Sequence, residues 1–285
     1  MKKTALVLEG GAMRSLYTSG VLDIFMENDI KVDALIGVSA GALTGANYIS
    51  KQIGRSAKIN IEYCDNPNYI GIKALKESKG WFGFDYLFNE ISKNEVPFDE
   101  ETFNKNNECK FVVGATNCNT GKTEYFEKRD WKKIEKVLQA SSSMPLVSNM
   151  VDINGGKYLD GAIECNIPIK WALDNDYDKI IVVLTRDETY VKKPISNKMK
   201  KAYALVYKKY PELIKTIYNR PQKYNELREK IKELEKTGRI LVLKPKTPIN
   251  IARLEKDKEK LKKLYENGRK ETNDKLKEII EYIKK

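Results

Sequence analysis

The sequence predicts an α/β layer fold with a basic, mainly helical C-terminal region, and three observations predict it. Short apolar runs alternate with helical periodicity through about residue 190. The first 39 residues alone read as a strand–helix–strand unit. Beyond residue 190 the chain turns into long, lysine-rich helical patterns.

Taken in order, "TALVLE" (4–9) is apolar on successive positions, as a strand buried on both faces must be. "SLYTSGVLDIFMEN" (15–28) has the spacing of an amphipathic helix, and "ALIGVS" (34–39) is a second buried strand. "ALTGANYISKQI" (42–53) continues as a helix, whereas 54–108, rich in Asn, Lys and aromatic residues, supports no assignment. "KFVVGATNCNTGKTEYF" (110–126) places two β-rich arms around an Asn-Thr-Gly-Lys turn and predicts a hairpin. "RDWKKIEKVLQASS" (129–142) has apolar residues at 131, 134, 137 and 138 and predicts a helix. "VDINGGKYLDGA" (151–162) reads as a tight hairpin through Asn154, Gly155 and Gly156, and "DKIIVVLT" (178–185) as a further buried strand. Past Pro194 the patterns predict helices over 210–220, 224–238 and 250–285, with one strand-like interruption at 239–245. A boundary near 190 divides the chain into domains 1–190 and 191–285, the second packed on the first.

Composition agrees with a folded protein: 41% of residues are hydrophobic, 32% are charged and only 9 are prolines. The four cysteines form no CxxC pair and histidine is absent, so a metal site is not expected. Glu9 interrupts the N-terminal apolar run after five residues, too soon for a secretory signal, and no run approaches the roughly 18 apolar residues of a spanning helix. A cytoplasmic protein is the expectation. Charge is uneven: residues 1–190 hold 23 Lys+Arg against 27 Asp+Glu, net −4, and residues 191–285 hold 29 against 13, net +16.

Between the second strand and its following helix stands Gly37-Val38-Ser39-Ala40-Gly41, a G-x-S-x-G sequence. Such a turn lifts a serine hydroxyl clear of the sheet and needs small neighbours because its backbone is tight. A glycine-rich turn with a serine helix cap gives the same pattern. A nucleophilic Ser39 requires a base, and with no histidine in the chain a carboxylate is the remaining choice. Asp160 in "YLDGA" is best placed by context, although Asp-Gly is by itself commonly a turn dipeptide. "LVLEGGAMRS" ends the first strand and opens a helix, so the amides of Gly10, Gly11 and Ala12 are candidate donors to a developing oxyanion. A nucleotide phosphate loop is the competing reading, but the segment lacks both the G-x-G-x-x-G spacing and the Walker lysine–hydroxyl pair.

"EGGAMR", "GVSAGA" and "DGA", in this order and spacing, resemble the patatin-like phospholipase family, in particular its small bacterial members, over residues 4–185. The resemblance implies a patatin-like three-layer α/β sandwich with a mostly parallel sheet. It implies that Ser39 is the nucleophile and Asp160 the second member of a Ser-Asp dyad. It further implies that Gly37 and Gly41 flank the nucleophile elbow, that Gly10, Gly11 and Ala12 supply the oxyanion hole, and that Arg14 closes the G-G-x-x-R motif. "ASSSMP" (140–145) is similar to a family segment supporting the site, whereas Ser15 stands where many members have glycine. The implied activity is hydrolysis of lipid acyl esters, of phospholipase A or lysophospholipase type, through an acyl-serine, without a cofactor. A non-catalytic lipid- or acyl-binding protein on the same fold is the alternative. The +16 segment suggests peripheral contact with an anionic membrane; no nucleic-acid partner is expected, and oligomeric state is left open.

Overall fold

Along the central strands, side chains alternate between two separate apolar clusters, and this alternation dictates the layering. Leu6, Leu8, Leu35, Ile181 and Val183 enter one cluster, while Ala5, Val7, Ala34, Ile36, Ile180 and Val182 enter the other. A sheet apolar on both faces must be covered by helices on both, giving three layers.

The structure is a computed structural model that describes residues 2–71, 73–74, 80–128 and 130–284. Its first half runs β1 (Thr4–Leu8), a 3₁₀ turn (Ala12–Ser15), α1 (Leu16–Glu27), β2 (Ala34–Val38), α2 (Ala40–Ile49), α3 (Arg55–Glu62), a π-helical segment (Tyr86–Glu95), α4 (Glu100–Lys105), β3 (Lys110–Asn117) and β4 (Thr123–Glu127). There follow α5 (Trp131–Ser142), β5 (Val151–Ile153), β6 (Gly156–Asp160), α6 (Ile169–Asp174), β7 (Lys179–Val183), α7 (Asn197–Val206), α8 (Pro211–Lys236), β8 (Leu241–Leu243), α9 (Lys258–Asp274) and α10 (Leu276–Lys284). Among the described residues eight strands form one mixed sheet in the order β5-β6-β3-β2-β1-β7-β8, with β4 also on β3. Strands β3, β2, β1, β7 and β8 are parallel, and β4, β5 and β6 add antiparallel pairs.

Register decides where the site forms. β2 pairs with β3 only as far as Val38 opposite Gly114. Ala115 and Thr116 pair with β4 and also with β6, so β6 occupies the edge of β3 that β2 has just vacated. Asp160, opposite Ala115, therefore lies beyond the end of β2, where the chain turns into Ser39. The β5–β6 hairpin closes through Asn154 and Gly155, both at positive φ, the type I′ geometry the Asn-Gly-Gly run predicts.

Three expectations change in detail. The unassigned span 54–108 contains α3, the π-helical segment and α4; residues 72 and 75–79 of it lie outside the described residues. The helices expected over 210–220 and 224–238 are one helix, α8, running through Pro221. The helix expected over 250–285 begins at Lys258, capped by Asp257, and divides at Lys275; position 285, like position 129 of the expected 129–142 helix, lies outside the described residues.

The strand-like 239–245 segment supplies β8, which extends the sheet beside β7. On the face carrying α1, α9 docks close enough that a Cβ on Gly268 would collide with the Tyr17 carbonyl oxygen. Tyr265 donates to Asp23 at 2.7 Å, and both Arg269 amino groups reach Glu27 at 2.9 Å.

Candidate active site

At the C-terminal end of β1 the carboxylate of Glu9 is buried and fully occupied. Its Oε2 accepts from the Thr185 amide at 2.6 Å and hydroxyl at 3.1 Å, and its Oε1 from Asn166 Nδ2 at 2.7 Å and the Tyr224 hydroxyl at 2.8 Å. These bonds pin the glycine-rich loop to β7, α8 and the segment after β6. The Gly10 amide is itself engaged, donating to the Asn166 carbonyl at 3.1 Å. No hydrogen bond to the Gly11 or Ala12 amides occurs among the described residues. Ala12 is held at φ +50°, a left-handed conformation uncommon for a residue with a Cβ. Ser15 fits without glycine's freedom, its φ being −67°, and its hydroxyl donates to the Ala12 carbonyl at 2.7 Å.

Ser39 sits on the strand-to-helix turn at φ +54°, ψ −135°. Flanking glycines are needed there for space: a Cβ on Gly41 would lie 2.7 Å from the Glu9 carbonyl oxygen, and one on Gly37 2.8 Å from the Ala42 nitrogen. The turn is fixed from below, since the Ser39 amide donates to Ser141 Oγ at 2.8 Å and that hydroxyl donates to the Gly114 carbonyl at 2.6 Å. A Cβ on Gly10 would lie 3.1 Å from Ser39 Cβ and 3.3 Å from Ala162 Cβ, so the three motif segments meet at one point.

Asp160 Oδ2 accepts from Ser39 Oγ at 3.3 Å, and Oδ1 accepts from the Ala162 amide at 2.8 Å. Its backbone is clamped too, the amide donating to the Ser143 carbonyl at 2.8 Å and the carbonyl accepting from Thr116 Oγ1 at 2.9 Å. Ser141 and Ser143 both belong to "ASSSMP", which thus braces the hydroxyl turn and the carboxylate strand together. Burial holds the Asp160 carboxyl above the usual aspartate range, against the opposing pull of Arg220, the Ala162 amide, Arg253 and Ser39.

Two cavities meet at Ser39, with Ala12 and Met144 shared between their walls. One, about 70 Å³ in volume, is lined by Leu43, Tyr69, Phe84, Phe88, Trp131 and other apolar groups. The second, about 470 Å³, holds Asp160 and a set of cationic side chains that includes Arg14. Arg14 donates from Nη1 to the Ile251 carbonyl at 3.4 Å, and its Nε is buried without a hydrogen-bond partner. Burial, then the positive charges of Arg186 and Arg253, bring its pKa down to about 10.

The structure thus brings Ser39, Asp160, Gly10, Gly11, Ala12 and Arg14 to one place, with the Gly10 amide already bonded. Sequence reasoning had Ser141 only within "ASSSMP", as support for the site, and missed Asn166, Thr185 and Tyr224, whose hydrogen bonds position the loop, and Arg220 and Arg253 beside Asp160. The arginines are indistinguishable in sequence among 52 Lys+Arg.

A family model described as patatin-like phospholipase matches residues 6–173, and one described as a domain of unknown function, DUF6363, matches residues 210–284. The chain is 29% identical over 189 residues to the uncharacterized protein YjjU of Escherichia coli strain K12, covering 64% of this chain and 52% of YjjU. It therefore spans about half the length of that relative. It is 28% identical over 212 residues to the probable lipid hydrolase 463L of Invertebrate iridescent virus 6, covering 65% of this chain and 71% of that protein. The crystal structure of VipD from Legionella pneumophila aligns at a TM-score of 0.48 and 13% identity, over 97% of this chain and 67% of VipD. Because the family model covers more than half of the chain and takes in all three motif segments, the chain belongs to the patatin-like phospholipase family.

Proposed function

We propose that the protein is a serine acyl hydrolase that cleaves fatty-acyl esters of lipids, with Ser39 as nucleophile and Asp160 as base. The observation that carries this reading is the 3.3 Å approach of Ser39 Oγ to Asp160 Oδ2 beside the two unoccupied amides of Gly11 and Ala12. Family membership and a relative named as a probable lipid hydrolase support the substrate class.

Ser39 Oγ attacks the ester carbonyl carbon as its proton passes to Asp160, and the carbonyl oxygen becomes an oxyanion facing the Gly11 and Ala12 amides. Collapse of the tetrahedral adduct breaks the bond to the leaving alcohol, which takes the proton from Asp160 and leaves an acyl-Ser39. Water then attacks that ester by the same route in reverse, giving a free fatty acid and restoring the hydroxyl. The raised affinity of Asp160 for protons, due to burial, suits it to this task better than an exposed aspartate. The acyl chain extends into the apolar cavity, whose side chains part to admit it.

Approach to lipid falls to α7, which has no buried residue and exposes Met199, Leu205 and Val206 among Lys198, Lys200 and Lys201. With exposed Val191 nearby in sequence, it forms a basic, apolar-tipped surface for peripheral contact with an anionic bilayer. No helix of the described residues is long and apolar enough to cross a membrane.

Fatty-acid release from a panel of dispersed lipids, comparing the native protein with Ser39→Ala, tests the reading. A loss on the order of 10⁴-fold or more is expected. Unchanged hydrolysis sinks the dyad, and lipid binding without turnover in either protein establishes a non-catalytic acyl binder instead.

A further inference from the structure

The larger cavity beside Ser39 is cationic to a degree that ester hydrolysis alone does not require. Arg14 comes from the 3₁₀ turn, Arg186 and Lys192 from the stretch after β7, Arg220 from α8 and Arg253 from the segment before α9, and all five side chains line one cavity. Among the described residues only two carboxylates border it. Glu9 is saturated by its four donors, and both oxygens of Asp160 are taken by Ser39 and Ala162. Among the described residues none of the five cations forms an ion pair, whereas outside the cavity Lys244 reaches Glu188 and Glu235, and Lys232 reaches Glu188 and Glu229.

Two of the donors are stranded. Arg14 Nε and Arg220 Nε are buried with no hydrogen-bond partner, which is costly unless a ligand supplies the acceptor. Burial depresses the pKa of Arg220, and burial followed by the charge of Arg220 lowers that of Lys192, so the cavity resists its own charge. These are the conditions that an entering anion relieves.

We propose that this cavity binds the phosphate of a phosphomonoester head group, so that the preferred substrates are acyl esters of glycerol phosphate; the proposal rests on the acyl-hydrolase reading above. Guanidinium forks match pairs of phosphate oxygens, and a doubly charged monoester meets more of the five cations than a phosphodiester does. A choline or ethanolamine head adds a cation of the wrong sign. Two of the four aromatic side chains described on the cavity wall are already covered, Tyr224 by Lys192 Nζ at 3.7 Å and Tyr190 by Arg186 at 4.3 Å from the ring centroids. With the acyl chain in the apolar cavity and its carbonyl at Ser39, the head group falls on the cationic side.

The experiment compares fatty-acid release from an acyl glycerol phosphate, the matching acyl glycerophosphocholine and the matching monoacylglycerol. All are presented at one mole fraction in neutral detergent micelles, with native protein, Arg220→Gln and Arg253→Gln. Titration of inorganic phosphate and glycerol phosphate into Ser39→Ala protein reads the cavity without turnover. The phosphomonoester is expected to be preferred in kcat/KM by roughly ten- to a hundredfold, chiefly through KM, with the ratio collapsing in the arginine variants and inorganic phosphate competing with lipid. Equal cleavage of the three lipids overturns the proposal, as does a preference that survives both substitutions. Phosphate binding that does not compete with lipid also overturns it, marking a site for the free ion. If no ester is cleaved by native protein while glycerol phosphate binds Ser39→Ala and is lost with Arg253→Gln, the hydrolase reading falls and the phosphate site stands; absence of both removes the two together.

Discussion

The two cavities that meet at Ser39 differ in almost every physical respect. The apolar one is walled by α2, α3, α5 and the π-helical segment, and its rings pack on one another, Phe98 stacking on Trp131 at 3.9 Å between centroids. Its one cation among the described residues, Arg55, is satisfied by the Val96 carbonyl, Asn47 and Ser92, and it lies over the Phe98 ring. The other draws its five cations largely from beyond β7, leaves two arginine nitrogens without partners, and has more than six times the volume, about 470 against about 70 Å³. A cation bonded on every side is structural; five cations that share one cavity without an ion pair among the described residues make that cavity attractive to an anion. One serine thus faces an apolar wall on one side and a cationic wall on the other.

Substitutions that act on the junction, on one side, or on neither, put that contrast to work. The largest effect belongs to the junction. Asp160→Asn is expected to lower kcat by about 10²- to 10⁴-fold on every acyl ester, measured as initial rates of acid release. The same variant is expected to melt at a higher temperature near neutral pH. Burial raises the folded-state pKa, so the folded protein binds more protons than the unfolded chain above the normal aspartate value of about 3.9. The stabilising contribution is therefore present at low pH and lost as pH rises through the folded pKa, and asparagine removes that loss. By the same sign, kcat/KM of the native protein rises with pH along a limb lying above the usual aspartate range; a limb at the ordinary value argues against Asp160 as base.

Next comes the apolar side alone. Leu43→Trp fills part of the smaller cavity, and excluding two methylenes costs about 1.6 kcal/mol, roughly tenfold in the ratio of long- to short-chain cleavage. A uniform loss across chain lengths means that the acyl chain does not lie there. Ser141→Ala removes the acceptor of the Ser39 amide and touches neither wall. A two- to tenfold fall in kcat, at roughly one hydrogen bond's worth, with KM and chain preference unchanged, is the expected kinetic result. Smallest is Arg269→Ala, remote from both cavities: losing its pair with Glu27 costs at most about 1 kcal/mol in a urea melt and leaves all rates alone. A change in substrate preference there instead ties the α1–α9 contact to the site.

Much of this was legible in the linear chain, and the reasons are local. Runs such as "ALVL" and "IIVV" are apolar at every position because their strands are covered on both faces. Gly37 and Gly41 announce the elbow because only glycine leaves room for the neighbouring backbone. Span 54–108 was opaque since its helices are short and one of them is π-helical, a period no α-helical template detects. Pro221 falls in the gap left between the helices expected over 210–220 and 224–238, yet it lies within one helix, buried against neighbours whose packing outweighs its local cost.

The residues alone determined the layered architecture, the candidate nucleophile, the absence of any imidazole and the two carboxylate and glycine segments that answer it, because each is set by short-range backbone and side-chain chemistry. Only the tertiary structure decided that β6 takes the edge of β3 where β2 stops, bringing Asp160 to Ser39 from 121 positions away. It alone decided that the basic third of the chain places Lys192, Arg220 and Arg253 around one cavity beside the serine. Charge counts are additive along a chain and carry no direction; which charges share a cavity depends on contacts between segments far apart in sequence, and those exist only once the chain has folded.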